Sequence, residues 1–191
     1  MTDTTRPTRY EAEAAVRTLL AYVGDDPDRE GLRDTPRRFV KAYDDWFAGY
    51  RHDPAAVLDR TFEQVGGYDD IVLLKNIKVE SHCEHHVAPM LGTAHVAYLP
   101  SDRVVGLSKL ARLVDVYARR LQSQETLTEE IARTIDKVLR PRGVAVIIEA
   151  THQCISTRGI HQDDVSCTTR TMLGAFRDDE RVEARLMALL R

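Results

Sequence analysis

The sequence of 191 residues predicts an α+β fold with a largely antiparallel sheet. Two observations lead to this prediction. Apolar residues recur with the helical period near both termini and between about residues 108 and 139, whereas four shorter runs have the composition of strands. The elements follow the order helices, two strands, two helices, two strands and a helix. Strands therefore come in neighbouring pairs and do not alternate with single helices, which favours antiparallel neighbours.

The N-terminal third predicts a tail and two helices. Residues 1–8 form the expected tail, and residues 9–23 carry apolar side chains at helical spacing. The connector GDDPDREGLRDTP is rich in turn formers. Thr35 and Pro36 then suit the cap and first position of a second helix, which Gly49 can close. Residues 50–70 are expected to be loop-like, with a short helix after Asp53-Pro54. We therefore predict a helical segment over 1–65 and a second domain over 66–191.

The remaining two thirds predict four strands and three helices. IVLLKNIKVES and GTAHVAYLP are typical of strands that flank a polar loop. SKLARLVDVYARRL is amphipathic, with Ser108 as its expected cap, and a second helix is expected to begin where Thr126 and Glu129 have capping-box spacing. VAVIIEAT predicts a strand that runs straight into HQC. VSCTTRT predicts the last strand, and residues 178–190 predict the last helix.

Composition and charge exclude several classes of protein. The net charge of -3 argues against binding dominated by nucleic-acid phosphates, so no nucleic-acid partner is expected. No apolar run approaches the roughly 20 residues that cross a bilayer, so no membrane partner is expected. The N-terminus lacks the apolar segment of a secretory signal, and a cytoplasmic location is expected. In that reducing compartment the three cysteines should be free thiols, available as metal ligands or nucleophiles.

The loop sequence SHCEHHVAPM concentrates groups that bind metals or move protons. Cys83 and His86 have the Cys-x-x-His spacing with which one turn directs two side chains at one zinc ion. HQC offers His152 and Cys154, two positions apart on the predicted strand. A closed structural site would use all four groups and leave His85 without a role. A catalytic site would use Cys83, His86 and Cys154, keep a position for water, and leave His85 and His152 as free bases.

Several motifs in the same order resemble the GTP cyclohydrolase I family. They are SHCEHHVAP, HVAYLP, VVGLSKLARLVDVYARRLQSQETLT and IIEATHQCISTRGI, and the resemblance runs from about Asp26 to Phe176. It implies hydrolysis of the cyclic amidine carbon–nitrogen bonds of GTP to give formate and 7,8-dihydroneopterin triphosphate, the first step of tetrahydrofolate and pterin biosynthesis. It also implies the tunnelling fold, with helices packed on one face of an antiparallel sheet. The implied assembly is a toroidal decamer of two pentamers, with zinc-containing active sites at subunit boundaries.

The resemblance also assigns site residues. It implies that Cys83, His86 and Cys154 bind Zn²⁺ and that His85 and His152 are the acid–base pair. Glu125 is expected to bind the guanine edge, with Gln124 beside it. The residues expected to face the ribose and triphosphate are Ser108, Lys109, Arg112 and Arg158. Thr126 departs from the family, in which many members have Arg after the guanine-binding Glu.

Three other interpretations have to be weighed. The nitrile reductases of queuosine synthesis share the fold but use a cysteine nucleophile without zinc, and the CEHH and HQC motifs argue against that chemistry. A non-catalytic zinc module would need a closed four-ligand site. An interaction protein that keeps the assembly without the chemistry would not need the complete set of motifs. Cys167 is expected to be a small buried apolar residue.

Overall fold

The computed structural model describes residues 6–59, 61–63 and 68–191. The chain divides into two compact units, residues 1–48 and residues 49–191. The predicted domain boundary between residues 65 and 66 lies outside the described residues, as do residues 1–5 of the predicted tail.

The first unit consists of two helices, α1 (Arg9–Tyr22) and α2 (Thr35–Trp46). A capping box begins α1: the Thr8 hydroxyl accepts from the Glu11 amide, and the Glu11 carboxylate accepts from the Thr8 amide at 2.8 Å. The N-cap of α2 is Asp34, one residue before the predicted Thr35, and its side chain makes no capping hydrogen bond. Both predicted helices are thus present, and the sequence missed the cap of each.

The second unit contains all of the strands. Its elements in chain order are a 3₁₀ turn (Ala48–Arg51), α3 (Pro54–Val57), β1 (Thr61–Glu63), β2 (Val72–Cys83), β3 (Pro89–Leu99), β4 (Arg103–Val105), α4 (Leu107–Ala118), β5 (Leu121–Gln122), α5 (Gln124–Leu139), β6 (Gly143–His152), α6 (Gln153–Ser156), β7 (Ser166–Gly174), α7 (Ala175–Asp178) and α8 (Glu180–Leu190).

Five strands form the main sheet in the order β5-β2-β3-β6-β7, and β1 pairs with β4 in a separate two-stranded sheet. All neighbours in the main sheet are antiparallel except β5, which pairs in parallel with the last two residues of β2. The predicted α+β class and the largely antiparallel sheet are therefore confirmed. In this register Met90 at the start of β3 lies opposite His152 at the end of β6, so both strands reach the same end of the sheet.

The main core lies between one face of the sheet and helices α4 and α5. Strand positions Val96 and Tyr98 on β3 are fully buried against these helices. The intervening positions Ala97 and Leu99 belong to a second cluster with Leu186 of α8. Alternate strand residues point to opposite faces, so α8 covers part of the second face. This differs from the expectation that helices pack on one face only.

Two predicted helix caps are wrong. Helix α4 begins after Gly106, so Ser108 lies inside its first turn and does not cap it. Helix α5 begins at Gln124, and its cap is Ser123, whose hydroxyl accepts from the Thr126 amide at 3.1 Å. Helix α5 therefore begins directly after β5, and Thr126 lies inside its first turn.

The predicted continuation of the strand through HQC is also wrong. Strand β6 ends at His152, and Cys154 lies on the single turn α6. The argument that His152 and Cys154 point the same way from one strand therefore fails. Cys167 is half-buried on β7, so the expectation of full burial is wrong as well. Within the described residues, no helix combines the length and apolar character needed to cross a membrane.

Candidate metal and substrate site

Cys83 and His86 lie on the tight turn that connects β2 to β3. The Cys83 amide donates to the Ala88 carbonyl at 2.9 Å, and the Val87 amide donates to the Cys83 carbonyl at 2.8 Å. Val87 has a φ of 53°, a left-handed conformation that a β-branched residue rarely adopts, so these hydrogen bonds hold a strained backbone. The turn thereby presents two potential metal ligands separated by only two residues.

Cys154 completes the group from a distant part of the sequence. Because β6 pairs with β3, the chain that leaves β6 at His152 passes beside the β2–β3 turn. One ligand atom from each of Cys83, His86 and Cys154 lies within 4.8 Å of the other two. Two sulfurs of a zinc tetrahedron are about 3.8 Å apart when each Zn–S bond is about 2.3 Å. The group could therefore hold one metal ion.

The chemistry of these donors suits zinc. Two thiols and an imidazole make the mixed sulfur and nitrogen set that zinc prefers. Cys83 and Cys154 are only 6% and 9% exposed, whereas His86 is exposed. Burial, followed by the neighbouring Cys83 thiol, raises the pKa of the Cys154 thiol. A divalent cation at this position would offset the cost of ionising two adjacent buried thiols.

His85 lies beside this group and outside it. Its Nδ1 is 3.7 Å from the Cys83 sulfur, and its Nε2 is 3.8 Å from a Glu84 carboxylate oxygen. Its side chain is 69% exposed. An exposed imidazole next to a metal-ligating thiol can exchange protons with solvent and with a bound substrate. The position of His85 is therefore compatible with the expected acid–base role.

His152 occupies a more enclosed position. Its Nε2 is 2.8 Å from the side-chain oxygen of Gln124. Burial lowers the pKa of His152, and the negative charge of Glu125 opposes that shift. Glu125 itself is exposed in the first turn of α5. The expected base-binding carboxylate and the expected acid–base histidine thus lie at the same end of α5.

The side chain of Gln124 is 1% exposed, which the sequence did not predict. It was expected beside Glu125 at the substrate. Its amide nitrogen instead lies within hydrogen-bonding distance of the Ile148 carbonyl, the Cys167 carbonyl and the Thr169 hydroxyl. The side chain is therefore enclosed between α5 and strands β6 and β7.

The expected phosphate ligands divide into two groups. Arg158 reaches the metal group, with a guanidinium nitrogen 3.0 Å from His86 Nε2. Ser108, Lys109 and Arg112 lie on the first two turns of α4, where Ser108 and Arg112 are exposed and Lys109 is half-buried. Among the described side chains, none of these three hydrogen bonds to a member of the metal group. Of the expected phosphate ligands, only Arg158 therefore contacts the Cys83, His86 and Cys154 group through a described hydrogen bond.

Sequence reasoning missed Gln122, which hydrogen bonds to the β2–β3 turn that carries Cys83 and His86 (the metal turn). Its carbonyl accepts from the Glu84 amide at 3.0 Å. Its buried side chain donates to the Tyr117 carbonyl at 3.2 Å and to a Glu130 carboxylate oxygen at 2.9 Å. The only sequence signal was a glutamine in the short break between two amphipathic helices, and such a residue usually faces solvent.

Comparisons with known proteins found a family model, a relative and a solved structure that are similar to this chain. The family model described as GTP cyclohydrolase I matches residues 12–191. A protein of Maricaulis maris (strain MCS10) with the name GTP cyclohydrolase 1 is 58% identical to this chain over 186 residues, which are 97% of this chain and 91% of the relative. Among solved structures, the apo form of the archaeosine synthase QueF-Like is similar with a TM-score of 0.47 and 20% identity, covering 56% of this chain and 96% of that one.

Proposed function

The chain belongs to the GTP cyclohydrolase I family, and we propose on that basis that it hydrolyses GTP to formate and 7,8-dihydroneopterin triphosphate. The observation that carries this proposal is the Cys83, His86 and Cys154 group, which stands beside two further histidines in a chain that is 58% identical to a named relative. The substrate is inferred from the name of the family. The site contains groups suited to opening the five-membered ring of the purine with water.

Cys83, His86 and Cys154 are the residues that would hold Zn²⁺. When bound, zinc supplies Lewis-acid activation of water near neutral pH. The protein's own contribution is to shield the two thiols of this group from most of the solvent and to keep the imidazole accessible. The Cys83 amide and carbonyl, bonded across the turn, fix the direction of that ligand before any ion arrives.

His85 and His152 are proposed to move the protons. Adding water at C8 of the purine, opening the ring and releasing formate all require protons to pass between ring nitrogens, water and the ribose oxygen. Imidazole titrates near neutral pH and can serve in both directions. The exposed His85 suits proton exchange with solvent. The enclosed His152 suits proton transfer from a ring whose orientation is fixed.

The remaining residues are proposed to bind and orient GTP. Glu125 can accept the N1–H and the 2-amino N–H of guanine at once, and adenine has no such pair of donors. Gln124 was expected beside Glu125 at the substrate, but its side chain is enclosed and no direct contact with GTP is assigned to it. The ribose and triphosphate are assigned to Ser108, Lys109 and Arg112 of α4 and to Arg158, which follows α6. The N-terminal end of α4 and the cationic side chains of Lys109, Arg112 and Arg158 suit an anion.

We also propose the toroidal assembly of the tunnelling fold, a decamer of two pentamers. Within the described residues, β7 pairs only with β6, and residues 72–79 of β2 pair only with β3. The strand directions make β7 of one copy antiparallel to β2 of the next, so head-to-tail pairing would continue the sheet. Such a ring would let one chain's α4 complete a neighbour's metal site. A cytoplasmic location remains part of the proposal.

The activity is tested by incubating the zinc-loaded protein with GTP, then measuring formate and the fluorescent pterin formed after oxidation. Cys83→Ser is expected to lose both zinc and formate release. Cys167→Ser is the matched control, because Cys167 is a half-buried cysteine of the same sheet that lies outside the metal group. Stoichiometric zinc without any formate from the parent protein would instead identify a structural zinc module.

The assembly is tested by sedimentation and by subunit mixing. Cys154→Ser and Lys109→Ala chains should each be inactive. If sites form between subunits, a mixed oligomer contains some pockets with both residues intact, and activity should partly return. A fully active monomer would contradict the proposed assembly.

A further inference from the structure

The orientation of the Gln124 amide is fixed by its neighbours. The nitrogen faces the Ile148 carbonyl at 3.0 Å, the Cys167 carbonyl at 2.9 Å and the Thr169 hydroxyl at 3.2 Å. Backbone carbonyls only accept hydrogen bonds, so exchanging the amide oxygen and nitrogen would bring three oxygens together without a proton for the two carbonyls. The amide oxygen must therefore be the atom that faces His152.

This orientation determines which nitrogen of His152 carries a proton. The amide oxygen has no hydrogen and lies 2.8 Å from His152 Nε2. The bond forms only if Nε2 is the donor, so a neutral His152 has its hydrogen on Nε2 and its lone pair on Nδ1. A group that fixes one ring nitrogen in this way also fixes the direction of the other.

The attachment of Gln124 is rigid enough to transmit this constraint. Its own carbonyl accepts from the Thr128 hydroxyl at 2.7 Å, and that hydroxyl is 2.6 Å from Thr169 on β7. The side chain is 1% exposed, so water does not compete for its donors or acceptor. Gln124 is thus anchored to α5 through its backbone and to β6 and β7 through its side chain.

We propose that Gln124 is a positioning residue, which accepts a hydrogen bond from His152 Nε2 and thereby fixes the direction of the imidazole ring, with Nδ1 left to face the reaction. This inference rests on the proposed function and changes the expected role of Gln124 from substrate contact to control of His152. It also gives α5 two tasks within one turn, because the adjacent Glu125 is assigned to the guanine edge.

The kinetic test compares two replacements of Gln124. Gln124→Met keeps the length but removes both the acceptor and the donors, and kcat should fall roughly 10- to 100-fold, as for other groups that orient a functional imidazole. KM for GTP and the zinc content should not change. Gln124→Glu keeps one oxygen as the acceptor for His152, but its second oxygen replaces the amide nitrogen and faces the backbone carbonyls. This variant should therefore be less stable than Gln124→Met and more active. A merely structural role would rank activity and stability in the same order.

A double-mutant cycle tests whether Gln124 acts through His152, even if Gln124→Glu does not fold. His152→Ala should lower kcat by roughly 10²–10⁴-fold. Adding Gln124→Met to His152→Ala should cost little more, because the residue through which it acts is gone. Thr169→Val is the control: the Ile148 and Cys167 carbonyls still hold the Gln124 amide, so the variant should lower the melting temperature without lowering kcat. The proposal would be overturned if the fold-decrease in kcat of the double variant equalled the product of the two single decreases. It would also be overturned if Thr169→Val were as slow as Gln124→Met.

A crystallographic comparison does not depend on turnover. In the parent protein His152 should keep its Nε2 toward Gln124, and in Gln124→Met the ring should rotate or become disordered while the zinc site keeps its occupancy. An unchanged ring in Gln124→Met would refute the positioning role. If the parent protein releases no formate, the proposed function fails, whereas the orientation of His152 is still decided by this comparison.

Discussion

Replacing Gly92 with alanine should destabilise the sheet where it supports the metal site. A Cβ atom at this position would lie 2.0 Å from the Glu149 carbonyl oxygen and 2.6 Å from the Ala150 Cα. Both obstacles are backbone atoms of β6, the strand that pairs with β3 through Gly92 and Ala150. No rotamer change can relieve such a clash, so the two strands must separate.

The size of the effect follows from the required displacement. Moving the oxygen to a distance of at least about 3 Å needs a separation of about 1 Å, which stretches a 2.9 Å hydrogen bond beyond its useful range. One or two lost ladder bonds cost about 1 kcal/mol each. Residual overpacking adds about 1–3 kcal/mol. Gly92→Ala should therefore lower the free energy of unfolding by about 2–5 kcal/mol, a large part of the usual 5–15 kcal/mol.

Zinc content should fall together with stability. Gly92 lies two residues after Met90, whose partner across the ladder is His152, so separating the strands moves Cys154 away from the Cys83 turn. The assays are urea unfolding followed by circular dichroism at fixed protein concentration, and zinc per chain by atomic spectroscopy. Thr93→Ala is the control, since Thr93 is the next residue of β3 and is exposed. If Gly92→Ala unfolds with the parent's midpoint and binds full zinc, the close approach of β3 and β6 is wrong.

Three further predictions concern the bound base, the acid–base pair and pH. Glu125→Ala should lose most of the preference for GTP over inosine triphosphate, which lacks one N–H donor worth about 1.5–3 kcal/mol, whereas Arg112→Ala should weaken both nucleotides alike in kcat/KM. His85→Ala should contain as much zinc as the parent when measured by atomic spectroscopy, and its kcat should be roughly 10²–10⁴-fold lower. If this variant contains no zinc, His85 and not His86 is the metal ligand. Burial lowers the pKa of His95, whose Nδ1 accepts from a backbone amide at 3.3 Å, so the unfolded chain binds the extra proton first and the free energy of unfolding should decrease as pH falls below about 6.5. His95→Gln should have a shallower pH dependence in urea unfolding, and an unchanged slope would contradict this assignment.

The regular elements were predictable because their side chains have a clear period. Strands β2, β3, β6 and β7 and helices α4 and α5 all contribute side chains to the main core, and that burial leaves a pattern in the sequence. The two-residue strand β5 leaves none, because it forms only through its pairing with the end of β2. The same is true of α6, whose single turn follows β6 without a glycine or proline to mark the change. Tertiary contacts determine both.

The candidate site was predictable to different extents for different groups. Spacing and family motifs identified Cys83, His86 and Cys154, and the structure places them in one group that could hold a metal. The family resemblance placed Gln124 beside Glu125 at the substrate, whereas its side chain is 1% exposed. Its burial depends on three acceptors from β6 and β7 that lie at least 24 residues away in the sequence. No local pattern encodes such a contact.

The short segment between α4 and α5 contacts the metal turn and His152 and carries the residue proposed to bind guanine. The Gln122 carbonyl supports the metal turn at Glu84, and two residues later Gln124 orients His152. Glu125 follows directly, at the position assigned to guanine. Because the segment is anchored at one end by β5 and at the other by the Ser123 cap, a shift of one residue would misplace all three contacts together. The spacing of this segment is therefore constrained more tightly than its polar composition suggests, and the constraint comes from the positions of three partners on the sheet and the metal turn.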